Sequence, residues 1–455
     1  MQLAKGEINE IWGRSKLKNL FQPVDNATLV LFRIMFGGIM FWEVTRYFRH
    51  GWISRYWIEP NFNFSYAPFN FQPLPGEWMY AVWWALGILA VFIILGLFYR
   101  ISAALFFCLF TYSYLLEQGR YLNHFYLVVL ISFLMIFLPT HKAFSLDSLI
   151  FKKIRTDVVP AWSLWLVRFI IGVPYFFGGI AKINHDWLRG YPLKKWLLGD
   201  LDFPIIGQYF SEHWMVMVMS YSGLLLDLAV VPVLLFKRTR VWGFIVITGF
   251  HLMNDQLFSI GIFPWFMMCA TTLFFSPDWP RRLFRWDRKE LHMTPYSDRK
   301  KKLVLLSLAL FCSIQILLPF RHLLIPGNVH WTEGGHRYSW HMKLRSKNGS
   351  TVFYIRNKAN GETVQVNPRG YIQRWQESKM AGKPYMIWEF ARFLKKEHAL
   401  MGLDVEVFVS AYASLNGRQY QEMIDPEIDL AAAPPPTWGH ASWIRPLTVP
   451  LEDQR

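Results

Sequence analysis

Lys182 closes the apolar run Tyr175-Phe176-Phe177-Gly178-Gly179-Ile180-Ala181 and precedes Asn184, His185, Asp186 and Trp187. An amine partly stripped of water among apolar groups loses hydration of its charged form, so its proton affinity falls and it becomes a base at neutral pH. The other reading is a lysine whose stem lies along lipid while its ammonium reaches the headgroups. His124, beside Asn123, opens another apolar run. An imidazole there is either an acid–base group or an amphipathic side chain at an interface. His251 belongs to Phe250-His251-Leu252-Met253-Asn254-Asp255-Gln256-Leu257-Phe258-Ser259-Ile260-Gly261. Hydrocarbon cannot satisfy so many polar groups, so this stretch either lines a cavity through a hydrogen-bond network or holds helices together. Asp227, within Leu224-Leu225-Leu226-Asp227-Leu228, needs a counter-charge, and a structural ion pair with Arg33 or Arg168 is expected.

Groups of this kind are positioned by a membrane scaffold. Of 455 residues, 53% are hydrophobic, 18% aromatic and only 18% charged, against about 25% charged in an ordinary soluble domain. Apolar runs at 27–49, 78–98, 101–118, 122–139, 162–184, 213–236, 240–255, 258–276 and 302–322 approach or exceed the roughly 20 residues that cross a hydrocarbon layer as helix. The first carries Arg33 and Gly37-Gly38, the fifth Arg168, Pro174 and Gly178-Gly179, and Asn254-Asp255-Gln256 joins the seventh to the eighth. A polytopic α-helical membrane protein is expected over 1–322, followed over 323–455 by a strand-rich, mixed α/β extracytoplasmic domain.

With the N-terminus inside, the interior loops hold 21 Lys and Arg and the exterior loops five, the asymmetry of a cytoplasmic N-terminus. The net charge of +16 is then loop charge rather than a nucleic-acid surface. This alternation brings His124 and Lys182 to the same outer level of the bilayer. Lys5, Arg14, Lys16 and Lys18 precede the first run without a cleavage pattern, so that segment is expected to stay. Cys108, Cys269 and Cys312 lie in apolar runs and read as inert core thiols.

Beyond residue 322 the composition turns polar. Tyr338–Arg345 and Thr351–Arg356 flank Ser346-Lys347-Asn348-Gly349, the signal of a hairpin turn. Residues 372–396 read as one helix, 405–413 as a strand before Asn416-Gly417, and Pro434-Pro435-Pro436 as an extended tail. His330, His336 and His341 do not read as a metal set, because an extended chain puts 336 and 341 on opposite faces and no Cys completes the ligands. No Walker or dinucleotide fingerprint and no Ser-His-Asp spacing is present.

At these residues the chain resembles the vitamin K-dependent gamma-glutamyl carboxylases. The resemblance runs through Leu31-Phe32-Arg33, Pro73-Leu74-Pro75, Trp78-Met79-Tyr80, Gly96-Leu97, Tyr99-Arg100-Ile101-Ser102, Asn123-His124 and Tyr126-Leu127. It continues through Lys182, Asp186-Trp187, Gly190-Tyr191, Leu224–Leu228, Gln256–Gly261, Ser276-Pro277, Trp279-Pro280-Arg281, Tyr338-Ser339-Trp340 and Asp425-Pro426.

The resemblance implies a carboxy-lyase that couples oxygenation of a reduced naphthoquinone to its epoxide with proton removal from the gamma carbon of peptide glutamate, which then takes up carbon dioxide. Reduced vitamin K (phylloquinone or menaquinone hydroquinone), O2 and CO2 are the implied cofactor and co-substrates. A glutamate-containing peptide and membrane lipid are the implied partners. Lys182 matches the base that deprotonates the hydroquinone, and His124 a neighbouring residue important for the chemistry. Asn123, His251, Asn254 and Gln256 fall on the cofactor side. His322, His336, Trp340 and His341 fall on the substrate side, the last three within the segment 334–345 that the family uses near glutamate. His336 stands where animal members have Tyr, and His341 where they have Asp. The loop 50–77 has no Cys, so the family's disulfide cannot form. The compact length fits a bacterial inner-membrane homologue better than one of the endoplasmic reticulum. Two readings stand beside carboxylation: a hydroquinone epoxidase without carboxylase activity, and a non-enzymatic quinone-binding protein.

Overall fold

The computed structural model describes residues 19–287, 293, 295–435 and 441–451. Each apolar run forms a helix: α1 (Ala27–Arg49), α2 (Trp78–Leu95), α3 (Tyr99–Leu115), α4 (Asn123–Phe137), α5 (Ala161–Lys182), α6 (His213–Leu235), α7 (Arg240–Phe258), α8 (Phe263–Thr271) and α9 (Asp298–Leu317). Five are long and apolar enough to cross a membrane: α1, α2, α5, α6, and α9 with its continuation to Leu324. α4 and the Phe263–Phe274 segment are apolar but shorter. α5 lies at the centre of the bundle, whereas only 11% of the apolar window of α9 is buried, so that helix faces lipid along most of its surface.

Small residues set the helix approaches. A Cβ on Gly37 of α1 would come within 2.6 Å of Ile94 and 2.8 Å of the Ala90 carbonyl, so only glycine lets α1 and α2 meet there. The buried arginines turned out to cap chain ends rather than neutralise Asp227. Arg33 donates to the carbonyls of Thr140 (2.9 Å), Ile94 (3.3 Å) and Phe144 (2.6 Å). Arg168 donates to those of Leu273 (2.8 Å) and Phe275 (2.9 Å), beyond the end of α8. Carbonyls left open at helix ends are strong acceptors, and guanidinium satisfies several at once. The expected break at Asn254–Gln256 is absent. α7 runs on to Phe258 and the chain reverses at Ser259 (φ +46) and Gly261 (φ +71). Of the thiols expected in the core, Cys269 and Cys312 are half-buried and pack against it, whereas Cys108 is exposed.

Short strands β1 (Pro23–Asp25) and β2 (Val158–Pro160) pair beneath the bundle. The C-terminal part is an antiparallel sheet in the order β4-β3-β5-β6, formed by β3 (Lys347–Asn357), β4 (Thr363–Val366), β5 (Val405–Leu415) and β6 (Gln421–Glu422). Val405, Val407, Val409, Ala411 and Ala413 alternate inward along β5 and meet Phe353, Phe390 and Leu394 in one core, the period of two expected of a half-buried strand.

Residues 338–345 form no strand, and Asn348-Gly349 forms no turn. Gly349 pairs with Ala413 inside the ladder. A side chain there would overlap the Ala381 carbonyl, which explains the glycine. The expected 372–396 helix is two, α10 (Arg374–Met380) and α11 (Pro384–Leu400), because Pro384 disfavours helical geometry at Lys383. Pro434 and Pro435 are exposed and non-helical. Pro436 and the N-terminal Lys5, Arg14, Lys16 and Lys18 lie outside the described residues.

Buried polar contacts join the two parts. Asp186, just past α5, accepts from Arg418 Nη1 (2.6 Å), Arg418 Nη2 (2.7 Å) and Asn416 Nδ2 (2.8 Å). Glu117, after α3, accepts from the backbone N–H groups of Gly119 (2.7 Å) and Phe64 (3.2 Å), from Gln376 Nε2 (3.0 Å) and from Asn63 Nδ2 (3.3 Å).

Candidate functional site

Lys182 is the last residue of α5, and its amine turns inward. Nζ donates to Asp227 Oδ2 at 2.5 Å and to the Gly178 carbonyl at 3.3 Å, and lies 5.3 Å from the Trp187 ring centroid. The glycine pair explains how Asp227 arrives there. A Cβ on Gly179 would meet Leu228 of α6 at 2.6 Å, so Gly178-Gly179 lets α6 come close enough to α5 for its carboxylate to reach the lysine. Both side chains are buried, at 8% and 6% exposure. A lysine reaching for headgroups would be exposed.

The pair faces a cavity between α5, α6, α7 and α8. Its walls are mostly apolar, including Met219, Phe250, Phe258, Phe263 and Met267, with Asn254 and His251 among the few polar groups. His251 Nε2 lies 2.7 Å from the Tyr175 hydroxyl. Apolar walls with a few convergent polar groups are what a flat, lipid-soluble ring needs for binding and orientation.

His124 lines a second cavity, above the first, with Asn123, Glu333, His336, Arg337, Arg345 and Lys383. Ile260, Phe263, Met342 and Lys343 line both. The Phe263 ring stands between the histidines, 5.7 Å from His124 and 6.0 Å from His251. Sequence reasoning set His124 and Lys182 at one level, and the structure puts them in adjoining cavities. Asn123 positions the chain: its Oδ1 accepts from Tyr121 (2.8 Å) and its Nδ2 donates to the His341 carbonyl (3.3 Å). Gln256 is exposed and away from both cavities. Trp340 is 1% exposed, its ring tilted against that of Tyr126 at 5.1 Å between centroids in the core.

The histidines after α9 come together, contrary to the face argument from an extended chain. Left-handed backbone at Tyr338 (φ +63) and Trp340 (φ +59) folds the segment back. His341 lies 4.8 Å from His322, 5.1 Å from His330 and 5.4 Å from His336, centroid to centroid. Burial, with help from Arg345, keeps the imidazoles of His330, His336 and His341 neutral. His330 falls to about 3, His341 to about 2, and His336 well below its ordinary value. His322 Nδ1 lies 2.7 Å from the Pro319 carbonyl. Among the described residues, no group of three or more His, Cys, Asp or Glu side chains is arranged to hold a metal ion.

Residues 21–279 match the HTTM domain family, and residues 300–449 match the lumenal domain of vitamin K-dependent gamma-carboxylase. The chain belongs to the vitamin K-dependent gamma-glutamyl carboxylase family. No solved structure matches it. The first match covers α1 to α8, and the second covers α9 and the β-sheet.

The chief residue that sequence reasoning missed in this carboxylase-family chain is Asp227, assigned there to a structural pair with arginine. A carboxylate on one apolar helix and a lysine on another, each flanked by residues that permit close crossing, was the available signal. Glu333 was also missed. It pairs with Arg345 at 3.1 Å and Lys347 at 4.0 Å on the wall of the upper cavity.

Proposed function

We propose that the chain is a vitamin K hydroquinone-dependent carboxylase of peptide glutamate with coupled epoxidation, and that Lys182 is its base. The observation that carries this reading is the buried Lys182–Asp227 pair on the wall of an apolar cavity. The apolar walls fit a reduced naphthoquinone, with Lys182, Asp227, Asn254 and His251 as the polar groups that would hold its oxygens. When bound, that group supplies through its reaction with O2 the basicity that a glutamate gamma proton requires and no side chain possesses.

Lys182 presents its amine once the shared proton moves to Asp227, 2.5 Å away. It then accepts a hydroxyl proton at Nζ and leaves its positive charge beside the oxygen that lost it. Asp227 keeps the amine in place and holds the proton it received, so the pair as a whole gains the one proton that the hydroxyl lost. Tyr175 fixes the His251 ring through their 2.7 Å contact. Phe263 and Met342 separate the two cavities, limiting water at the base. The peptide glutamate takes the upper cavity, where Arg337, Lys343 and Arg345 offer charge to a carboxylate. His124 borders the upper cavity, with the Phe263 ring between it and His251 of the lower one. In the proposed topology the N-terminus is cytoplasmic, nine helices cross the membrane, and residues 323–455 lie outside.

A second reading, hydroquinone oxygenation without carboxylation, is favoured by one observation: among the described residues neither ring nitrogen of His341 has a hydrogen-bond partner, and this residue lies in the segment assigned to glutamate. Purified protein incubated with reduced vitamin K, O2, labelled bicarbonate and a glutamate peptide separates the two. Epoxide with incorporated label supports carboxylation, and epoxide without label supports the second reading. Neither product, beside an active control enzyme, rejects both.

A further inference from the structure

Lys383 precedes α11 and lines both the upper cavity and an adjoining outer one that contains Tyr66, Arg321, Tyr385 and Glu389. It is half-buried, and among the described residues its amine has no hydrogen-bond or ion-pair partner. The neighbouring Lys347 is engaged instead: its amine donates to the Trp331 carbonyl and lies 4.0 Å from Glu333.

The surroundings of Lys383 suit an anion better than a cation. Arg337 and Arg345 share its cavity, and Lys379 adds positive charge. The opposing carboxylate, Glu333, is already paired with Arg345 and Lys347. Lys383 also sits at the start of a 17-residue helix, where the partial charge is positive. Burial pushes the amine down, Glu333 pulls it back, and Arg337, Arg345 and Lys379 lower it further, to about 7. Its neutral fraction at neutral pH is therefore about a thousandfold that of an ordinary lysine.

We propose that Lys383 is a carbon dioxide-reactive site that forms N-carboxylysine. The Nζ lone pair makes an N–C bond to CO2, one C=O electron pair moves to oxygen, and an N–H proton leaves to solvent. Neutral amine and CO2 thus give carbamate and a proton, and nothing is oxidised or reduced. The new carboxylate pairs with Arg337 and Arg345. The site is distinct from the Lys182–Asp227 pair, and its formation needs neither quinone nor peptide, although its carboxylate would use the arginines that the proposed glutamate also uses.

Full-length protein in detergent, equilibrated with 13C-bicarbonate, is trapped with triethyloxonium and mapped by peptide mass spectrometry. Trapped label on Lys383, in large excess over the exposed Lys358, is the expected result. The label disappears in Lys383→Arg and persists in Lys347→Arg. Mapping the unaltered protein keeps the test valid even if a variant misfolds. Label on Lys383 no greater than on Lys358, or label that survives in Lys383→Arg, would overturn the assignment.

Discussion

Lys182 Nζ donates to Asp227 Oδ2 across 2.5 Å where α5 crosses α6, and both side chains are more than nine-tenths buried. Desolvation of two charges is tolerable only while they stay together. Replacing one leaves the other buried without compensation, at a cost of about 3–5 kcal/mol.

Asp227→Asn is therefore expected to lower thermal stability in detergent and to reduce epoxide formation by at least about a hundredfold, since the amine loses the group that shares its proton. The double variant Lys182→Met, Asp227→Leu is expected to regain most of the stability and none of the activity. Turnover of Asp227→Asn close to that of the parent would remove Asp227 from the reaction.

The end of α5 is tied to the sheet by Asp186 and Arg418. Burial opposes ionisation of Asp186, but hydrogen bonds from Arg418 and Asn416 outweigh it and hold the carboxyl below its usual range. A depressed folded value stabilises above the unfolded value and is lost as pH falls through the folded one, so this contact weakens only in acid. Arg418→Ala is expected to cost about 3–5 kcal/mol, and Arg418→Lys to restore only part, because one ammonium cannot reproduce the two-pronged contact. Limited proteolysis of the sheet domain reads the effect. Unchanged protection in Arg418→Ala would rule out this anchor.

Glu389 behaves in the opposite sense. Burial, with the nearby Glu117, pushes its carboxyl up to about 8, and its Oε2 lies 3.2 Å from Gln118 Nε2. A raised folded value gives stability that is full below the unfolded value near 4.5 and lost as pH rises through about 8. The parent should lose thermal stability progressively between about pH 4.5 and pH 8 and level off above that. Glu389→Gln should flatten that slope, and identical slopes would contradict the assignment.

Gly349 offers a steric test. A Cβ there would overlap the Ala381 carbonyl, so Gly349→Ala must displace the linker between α10 and α11, at a cost of about 1–3 kcal/mol. A melting temperature equal to the parent's would mean that the linker yields freely.

The nine apolar runs were legible as helices because their long apolar stretches mark them, five being long and apolar enough to cross a membrane, and β5 was legible from its alternation. Three readings failed for identifiable reasons. Arg33 and Arg168 looked like partners for Asp227 because charge is visible in sequence, whereas the open carbonyls they cap are not. Asn348-Gly349 looked like a turn because glycine's backbone freedom is familiar, yet here it serves a close approach. His336 and His341 were separated by assuming an extended chain, and two left-handed residues undo that assumption. The apolar surroundings of Lys182 could be read from the sequence. The cationic upper cavity could not, since Glu333, Arg337, Arg345 and Lys383 meet only through the fold.

The central claim is that Lys182 is the base of a hydroquinone-consuming cavity. Its most direct test is the rate of vitamin K epoxide formation by monodisperse Lys182→Ala, compared with the parent at saturating hydroquinone and O2. A fall of about a hundredfold or more is predicted, the usual contribution of a positioned proton acceptor. Epoxide formation at a near-parental rate would contradict it.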